Sequence, residues 1–510
     1  MSRSKNKTTF LSLLILMSFA ASLEAQPEAS WSPQIPKTWD EQALASLEVP
    51  LVDSSFSPKH ISASYYYGIP ARPIYKSYPI YAPEKEPAGY IEWLKQQKPE
   101  VAFEVARLKT KEDWIKAGEL VFDAPIVYGS LFIPASDSLY VREAAWYRKV
   151  NPPLTKEVVM PFYRYVIREK GKIEIGVLSC GMCHTRVMPD GSIIKGAQGN
   201  FPFDRAMAYA YRTGVADVNM ARAAERTLYA APWLKPDLHA RVGQMSQEKI
   251  AALHDAIPNG VAARHGGSPM IPMKIPDLFN LQARKYFDAT GLIQHRDLAD
   301  LMRYAALNQD GDFLAQHGDF MPQEAFGPIP HDPTKYEFGR YSDEQLYALA
   351  LYVYSLQPPA NPNKYDALAA TGQKIFEREG CTGCHTPPFY TNNKLTPVRG
   401  FKVPTAHYKK FDIKNVCVNT NPELALKTRR GTGYYKVPSL RHVWLRDPLE
   451  HSGSVATLED WFDPDRVYED YEPTGFRGQN VKTRTVEGHP FGLELAAEDR
   501  RALIAFLKTL

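Results

Sequence analysis

The chain has 510 residues, with 61 Lys and Arg against 57 Asp and Glu and a formal net charge of +4. That length allows two or three domains with sizeable cores, and charges so nearly balanced give no argument for nucleic-acid binding. With 41 prolines and 29 tyrosines, the composition suggests long ordered loops wrapped around something large and flat.

In chain order, Arg3, Lys5 and Lys7 precede an apolar run from Phe10 to Ala21, with a cleavage point after Ala25. Residues 1–25 therefore read as a secretory signal peptide, which places the mature protein in the periplasm. An uncleaved anchor is the alternative, because Leu23 is a poor residue near the cut. No later segment approaches eighteen consecutive apolar residues. Residues 26–105 follow as a Tyr/Pro-rich arm. Its Tyr65 to Pro87 stretch has no helical period, so an extended arm over the globular part is expected, with disorder as the alternative.

Two C-x-x-C-H signatures then use four of the five cysteines: Cys180-Gly181-Met182-Cys183-His184 and Cys381-Thr382-Gly383-Cys384-His385. This is the grammar of covalent c-type haem attachment. Two thiols add to the two vinyl groups of one porphyrin, and the adjacent imidazole reaches the iron from one face. A zinc site is the competing reading, but zinc ribbons rarely place His directly after both pairs or separate them so widely. Two covalent haems are expected, with His184 and His385 as proximal ligands. The fifth cysteine, Cys417, has no intramolecular partner left and is expected to be a buried, inert thiol.

The chain is also duplicated. Lys274-Ile275-Pro276-Asp277-Leu278 through Arg284 to Gly291 matches Lys436-Val437-Pro438-Ser439-Leu440 through Arg446 to Gly453 without a gap. Phe338-Gly339 before a helix at 348–356 is echoed by Phe491-Gly492 before a helix at 502–510. Gly372 and Phe376 ahead of Cys381 are echoed by Gly118 and Phe122, although some sixty residues then intervene before Cys180. The proline-rich stretch Gln357 to Asn363 separates the units. These features predict a mainly α fold of two tandem cytochrome c-like domains, 106–358 and 359–510, with long loops and an insertion in the first. Arg284 and Arg446, equivalent in the repeat, and Arg441 suit bidentate pairing with haem propionates. Solvated loop arginines are the alternative. Trp444 and Trp461 are candidates to line a path between haems or to sit in the core.

In the second unit, Pro438-Ser439-Leu440-Arg441-His442-Val443, His451-Ser452-Gly453 and Ala456-Thr457-Leu458-Glu459 resemble the hallmark of the bacterial di-haem cytochrome c peroxidase superfamily. That superfamily includes the methylamine-utilisation di-haem enzymes and the haem-dependent rubber oxygenases. The resemblance is strong over residues 371–510 and weaker over 109–356. It implies that one haem passes electrons while the other meets hydrogen peroxide or oxygen, and it leaves room for a bridging calcium ion. The insertion before Cys180 and the arm depart from the compact peroxidase pattern and leave the substrate open.

The sixth ligand of each iron separates carriers from enzymes. Apart from Met1 and Met17, every methionine lies between Met160 and Met321, so the second unit has none. Its candidates are His489, His451, His442 and His407, or no protein ligand; the related oxygenases resemble this chain in using a late histidine, which favours His489. For the first iron the candidates are Met270 and Met273 in a proline-flanked loop, His295, His265, Tyr336 at the place corresponding to His489, or an open position. The expected function is a periplasmic di-haem oxidoreductase exchanging electrons with a small redox protein, with peroxide or oxygen chemistry at one open haem. A non-catalytic di-haem carrier and, more weakly, a haem-based sensor are the competing readings.

Overall fold

The computed structural model describes residues 31–128, 140–264 and 267–510; the leader at 1–25 lies outside them. Among the described residues no helix is long and apolar enough to cross a membrane.

Each repeat is built on one tightly packed pair of helices. Lys111–Asp123 packs on Asp343–Ser355 in the first unit, and Ala367–Arg378 on Ala497–Lys508 in the second. Their starts follow local rules: Thr110 and Ser342 close capping boxes, and Asp366 accepts from Ala369 N. Gly118 and Gly372 let the backbones touch, because a Cβ on either would run into the carbonyl of Ala348 or Ala502. One turn on, Phe122 meets Tyr352 edge-on at 5.3 Å and Phe376 meets Phe506 at 5.4 Å.

The expectation of a mainly α fold holds only in part. Helices lead, but the insertion before Cys180 forms most of a four-stranded antiparallel sheet, ordered Ser77–Tyr81, Val159–Glu169, Lys172–Val177, Val127–Tyr128. The hairpin turns at Lys170-Gly171, with Gly171 at φ +89°. The run from Val158 to Ile167 is rich in β-branched and aromatic residues, and Pro161 obscures it.

The arm also differs from the extended overlay expected. It contributes Ser77–Tyr81 to the sheet and short helices at Glu41–Ala45, Ala63–Gly68 and Tyr90–Gln96. Trp39, Leu47, Ile80 and Leu94 share one buried cluster with Phe122 and Leu346, and Trp39 stacks on Tyr66 at 4.2 Å. Apolar side chains spaced along an irregular segment gave no period to detect, yet their burial makes the arm part of the first unit's core.

The two units meet about a local two-fold relation that the repeat spells out. Lys274 N donates to His451 O at 2.8 Å, and its counterpart Lys436 N donates to Ala289 O, the counterpart of His451, at 3.1 Å. Val261 pairs with Lys274 in one small ladder and Leu395 with Lys436 in the other. Gly291 and Gly453, at φ +64° and +70°, lie so close to Leu395 and Val261 respectively that a Cβ would overlap them.

Candidate haem centre

Each C-x-x-C-H motif sits just after the first helix of its pair in space. Cys180–Cys183 forms one helical turn capped by Ser179 and packed against Lys111–Asp123, and Cys381–Gly383 is a 3-10 turn at the end of Ala367–Arg378. The four cysteines are unpaired and half-buried, as are His184 and His385.

The proximal imidazoles are oriented by the repeated block itself. His184 Nδ1 donates to Pro276 O at 3.0 Å. His385 Nδ1 donates to Tyr390 O at 3.1 Å and lies within hydrogen-bonding reach of the carbonyl of Pro438, the counterpart of Pro276. A carbonyl only accepts, so Nδ1 carries the proton and Nε2 is left free to ligate a metal. Burial pushes both imidazoles down to about 4, so both are neutral, as ligation requires. The two carbonyls were missed from sequence, although the gapless repeat around each proline was the signal for them.

In the second unit His489 faces His385. Their ring centroids are 6.4 Å apart with planes at 57°. Two metal–nitrogen bonds of about 2 Å and two ring radii of about 1 Å span about 6 Å, so the pair fits a single iron held from both sides. Burial, then the neighbouring His385, pushes His489 down to about 3, and its Nδ1 is buried with no hydrogen-bond partner. His489 has left-handed backbone at φ +45°, uncommon for a residue with a side chain.

That loop is clamped by a residue the sequence did not single out. Arg466 is fully buried and donates from Nε to Trp461 O at 2.8 Å, from Nη1 to Val486 O at 2.5 Å, and from Nη2 to Gly488 O at 3.0 Å and His489 O at 2.9 Å. His489 N donates to Val418 O at 2.6 Å. Trp461 stands 5.3 Å from the His489 ring, with the Arg466 guanidinium over its face at 4.7 Å.

The other second-unit histidines are engaged elsewhere. His451 stacks on Tyr435 at 3.5 Å and shares a 3.1 Å hydrogen bond with Thr420 Oγ1. His442 packs edge-on to Phe279 at 5.5 Å, and His407 Nδ1 lies 2.9 Å from Tyr434 Oη. Cys417 is exposed, contrary to the buried thiol expected; it precedes the Val418 carbonyl on a surface loop and points its thiol at Asn419 Oδ1, 3.2 Å away.

In the first unit His295 spends both ring nitrogens, Nδ1 on Arg284 O at 2.7 Å and Nε2 on Tyr354 Oη at 2.6 Å. Tyr336 is buried with Ile69 and Leu314. Met273 packs with Ile271, Val398 and Tyr435, and Met270 lies against the same cluster. His265 lies outside the described residues.

Between the two sites lies a cluster of charge. Arg284 Nη2 reaches Asp277 Oδ1 at 2.6 Å, and Arg446 Nη1 reaches Asp277 Oδ2 at 3.3 Å. Burial works to raise Asp277, but the two guanidinium groups outweigh it and hold the carboxyl at about 2. Lys274 is pushed down to about 8 by burial and then by Arg446, and Lys436 to about 7 by burial and then by Arg284. This crowding of cations, with Arg446 Nε buried and without a partner, suits a site that receives carboxylates such as haem propionates. Arg441 instead donates from Nε to Pro388 O at 3.0 Å. Trp444 lies in a small cluster with Phe279 and Leu445. Among the described residues no three His, Cys, Asp or Glu side chains gather as a metal-binding group.

No protein-family model matches the chain, and no curated protein does. Solved structures similar to it in part include a hydrazine synthase from Kuenenia stuttgartiensis pressurised with xenon, at 14% identity over 57% of this chain and 87% of that one, with a TM-score of 0.27. A MauG-like protein associated with microbial copper homeostasis is 16% identical over 57% of this chain and 87% of that one, with a TM-score of 0.29. A diheme peroxidase variant from Burkholderia thailandensis is 18% identical over 46% of this chain and 64% of that one, with a TM-score of 0.21.

Proposed function

We propose that the chain is an exported di-haem c-type oxidoreductase. Cys180 and Cys183 would attach one haem with His184 as proximal ligand, and Cys381 and Cys384 a second with His385. The observation that carries this is the 6.4 Å separation of His385 and His489 across the second attachment site. When bound, the haems supply one-electron chemistry, and at an open iron the activation of peroxide or oxygen.

The chain's own residues divide the labour. His385 and His489 close the second site from both sides, which suits it to passing electrons. Arg466 holds the His489 loop against movement. At the first site His184 is oriented by Pro276 O, while His295 and Tyr336 are committed to other contacts. That asymmetry supports an open first iron as the place of peroxide or oxygen chemistry. A small redox protein is the proposed electron donor or acceptor. The charged start and apolar run of residues 1–25 support work in the periplasm, where covalent haem attachment takes place.

The test is low-temperature EPR on the holo-protein, fully oxidised and half-reduced. One low-spin ferric centre with two imidazole ligands and one high-spin centre are expected. Two low-spin centres in both states would overturn the open first iron and leave an electron carrier.

A further inference from the structure

The two proximal histidines are joined by a path of polar contacts and two peptide links. His184 Nδ1 donates to Pro276 O; the next residue, Asp277, binds Arg446; Arg446 Nη2 donates to Ser439 O; and Pro438 precedes Ser439 and lies within reach of His385 Nδ1. Arg284 closes the near end, donating from Nη1 to Asp277 O at 2.9 Å and from Nη2 to Phe279 O at 2.8 Å. Arg284 and Arg446 are counterparts in the repeat and make counterpart bonds, each to the carbonyl seven residues before it. The position between them breaks the symmetry: the first unit has Asp277 and the second has Ser439. One carboxylate, only 2% exposed, therefore serves both arginines.

We propose that Asp277 is a positioning residue shared by the two haem sites, fixing through Arg284 and Arg446 the backbone that orients His184 and His385, so that its charge sets the reduction potential of both centres. The inference rests on the two-haem reading above and deepens it. A buried negative charge beside a proximal imidazole raises the ligand's basicity and favours the ferric state, and a buried positive charge does the reverse. Asp277 acts directly on the Pro276 carbonyl bound to His184. It acts on the His385 side by holding Arg446, whose charge bears on that imidazole.

The experiment is a spectroelectrochemical titration of both haems in the full-length holo-protein. Two covalent haems per chain, counted first by pyridine haemochrome, test the two-haem reading separately. Asp277→Asn is expected to shift the one-electron equilibrium of both haems towards ferrous, by at least tenfold, about 59 mV, at the His184 haem, and by a smaller but resolvable amount at the His385 haem. Asp277→Glu, which keeps the charge, should return both potentials towards wild type. Arg446→Gln should shift both haems the opposite way, and it decides the matter if Asp277→Asn does not fold. A shift confined to one haem, or below twofold at both, overturns the proposal.

Discussion

The two proposed haem sites share one proximal design and part company on the opposite side. Both use a C-x-x-C-H turn at the end of a helix, and both present a proline carbonyl from the repeated block to the proximal Nδ1. On the far side, the loop that brings His489 over His385 in the second unit corresponds to the loop carrying Tyr336 in the first. There the arm takes it over. Arg340 N donates to Pro70 O at 3.0 Å, Arg72 N donates to Arg340 O at 2.7 Å, and Tyr336 is buried against Ile69. In the second unit the corresponding loop is held by Arg466 and Val418 instead. The half that would attach a cofactor is alike in the two units, and in the first the arm holds the half that would otherwise close the site.

The largest effect should come from removing the feature that separates the sites. His489→Ala is expected to convert the second centre from low-spin to high-spin in the ferric EPR spectrum, whereas Tyr336→Phe should leave both centres unchanged. A low-spin second centre in His489→Ala would mean that His489 is not the ligand and would erase the contrast.

Arg466 supports that contrast from behind. Truncating it strands four backbone carbonyls in the core, of which two belong to Gly488 and His489. With a cost of about 1–3 kcal/mol for each buried acceptor left bare and partial relaxation, Arg466→Ala should lose about 3–5 kcal/mol of stability in denaturant titrations. It should also weaken the low-spin signal. Arg466→Lys, with one point charge in place of a fork, should recover only part of either.

What could be read from the sequence follows the range of each interaction. The two attachment motifs are local strings, and the block from Lys274 to Gly291 repeats without a gap, so both stand out by inspection. His489 was a candidate because it lies just before the final helix, where the resemblance to the related oxygenases implies a histidine ligand. Arg466 was invisible for a different reason: it acts on backbone carbonyls and lies in no recognisable string. Asp277 lies inside the repeated block, but its pairing with Arg446, far along the chain, left no local trace. The sheet left a trace, the β-rich run after Val158, which Pro161 interrupts. The arm left none, because Trp39, Leu47 and Leu94 are anchors without a period.

The enlarged first unit also carries a buried ion cluster within its own core. His254, fully buried, has Nδ1 2.7 Å from Asp204 Oδ1 and Nε2 2.8 Å from Glu225 Oε1, with the Tyr211 ring at 5.6 Å. Burial works to lower His254, but Glu225 and Asp204 outweigh it and raise it to about 10. A folded value above the unfolded one means stability that is complete below about pH 6.5 and lost as pH rises towards about 10. Over that window the contribution falls by about 1.4 kcal/mol per pH unit. Denaturant midpoints of wild type and His254→Gln should therefore converge from pH 7 to pH 9. Parallel curves would mean that the imidazole is neutral and the cluster only a set of hydrogen bonds.

The smallest effect tests what the two units have in common. Gly118→Ala and Gly372→Ala each drive a methyl group into a carbonyl on the partner helix, with Tyr352 or Phe506 beside it. Overpacking of this kind costs about 1–3 kcal/mol, and alanine returns up to about 1 kcal/mol of helix propensity, so a net loss of about 1–2 kcal/mol is expected at each site. The two losses should be similar, because the crossings are superimposable in their contacts despite the different surroundings. A loss at Gly372 alone would show that the sheet and arm let the first pair of helices move apart. The added chain would then have relaxed the packing of the first unit as well as redirecting its distal loop.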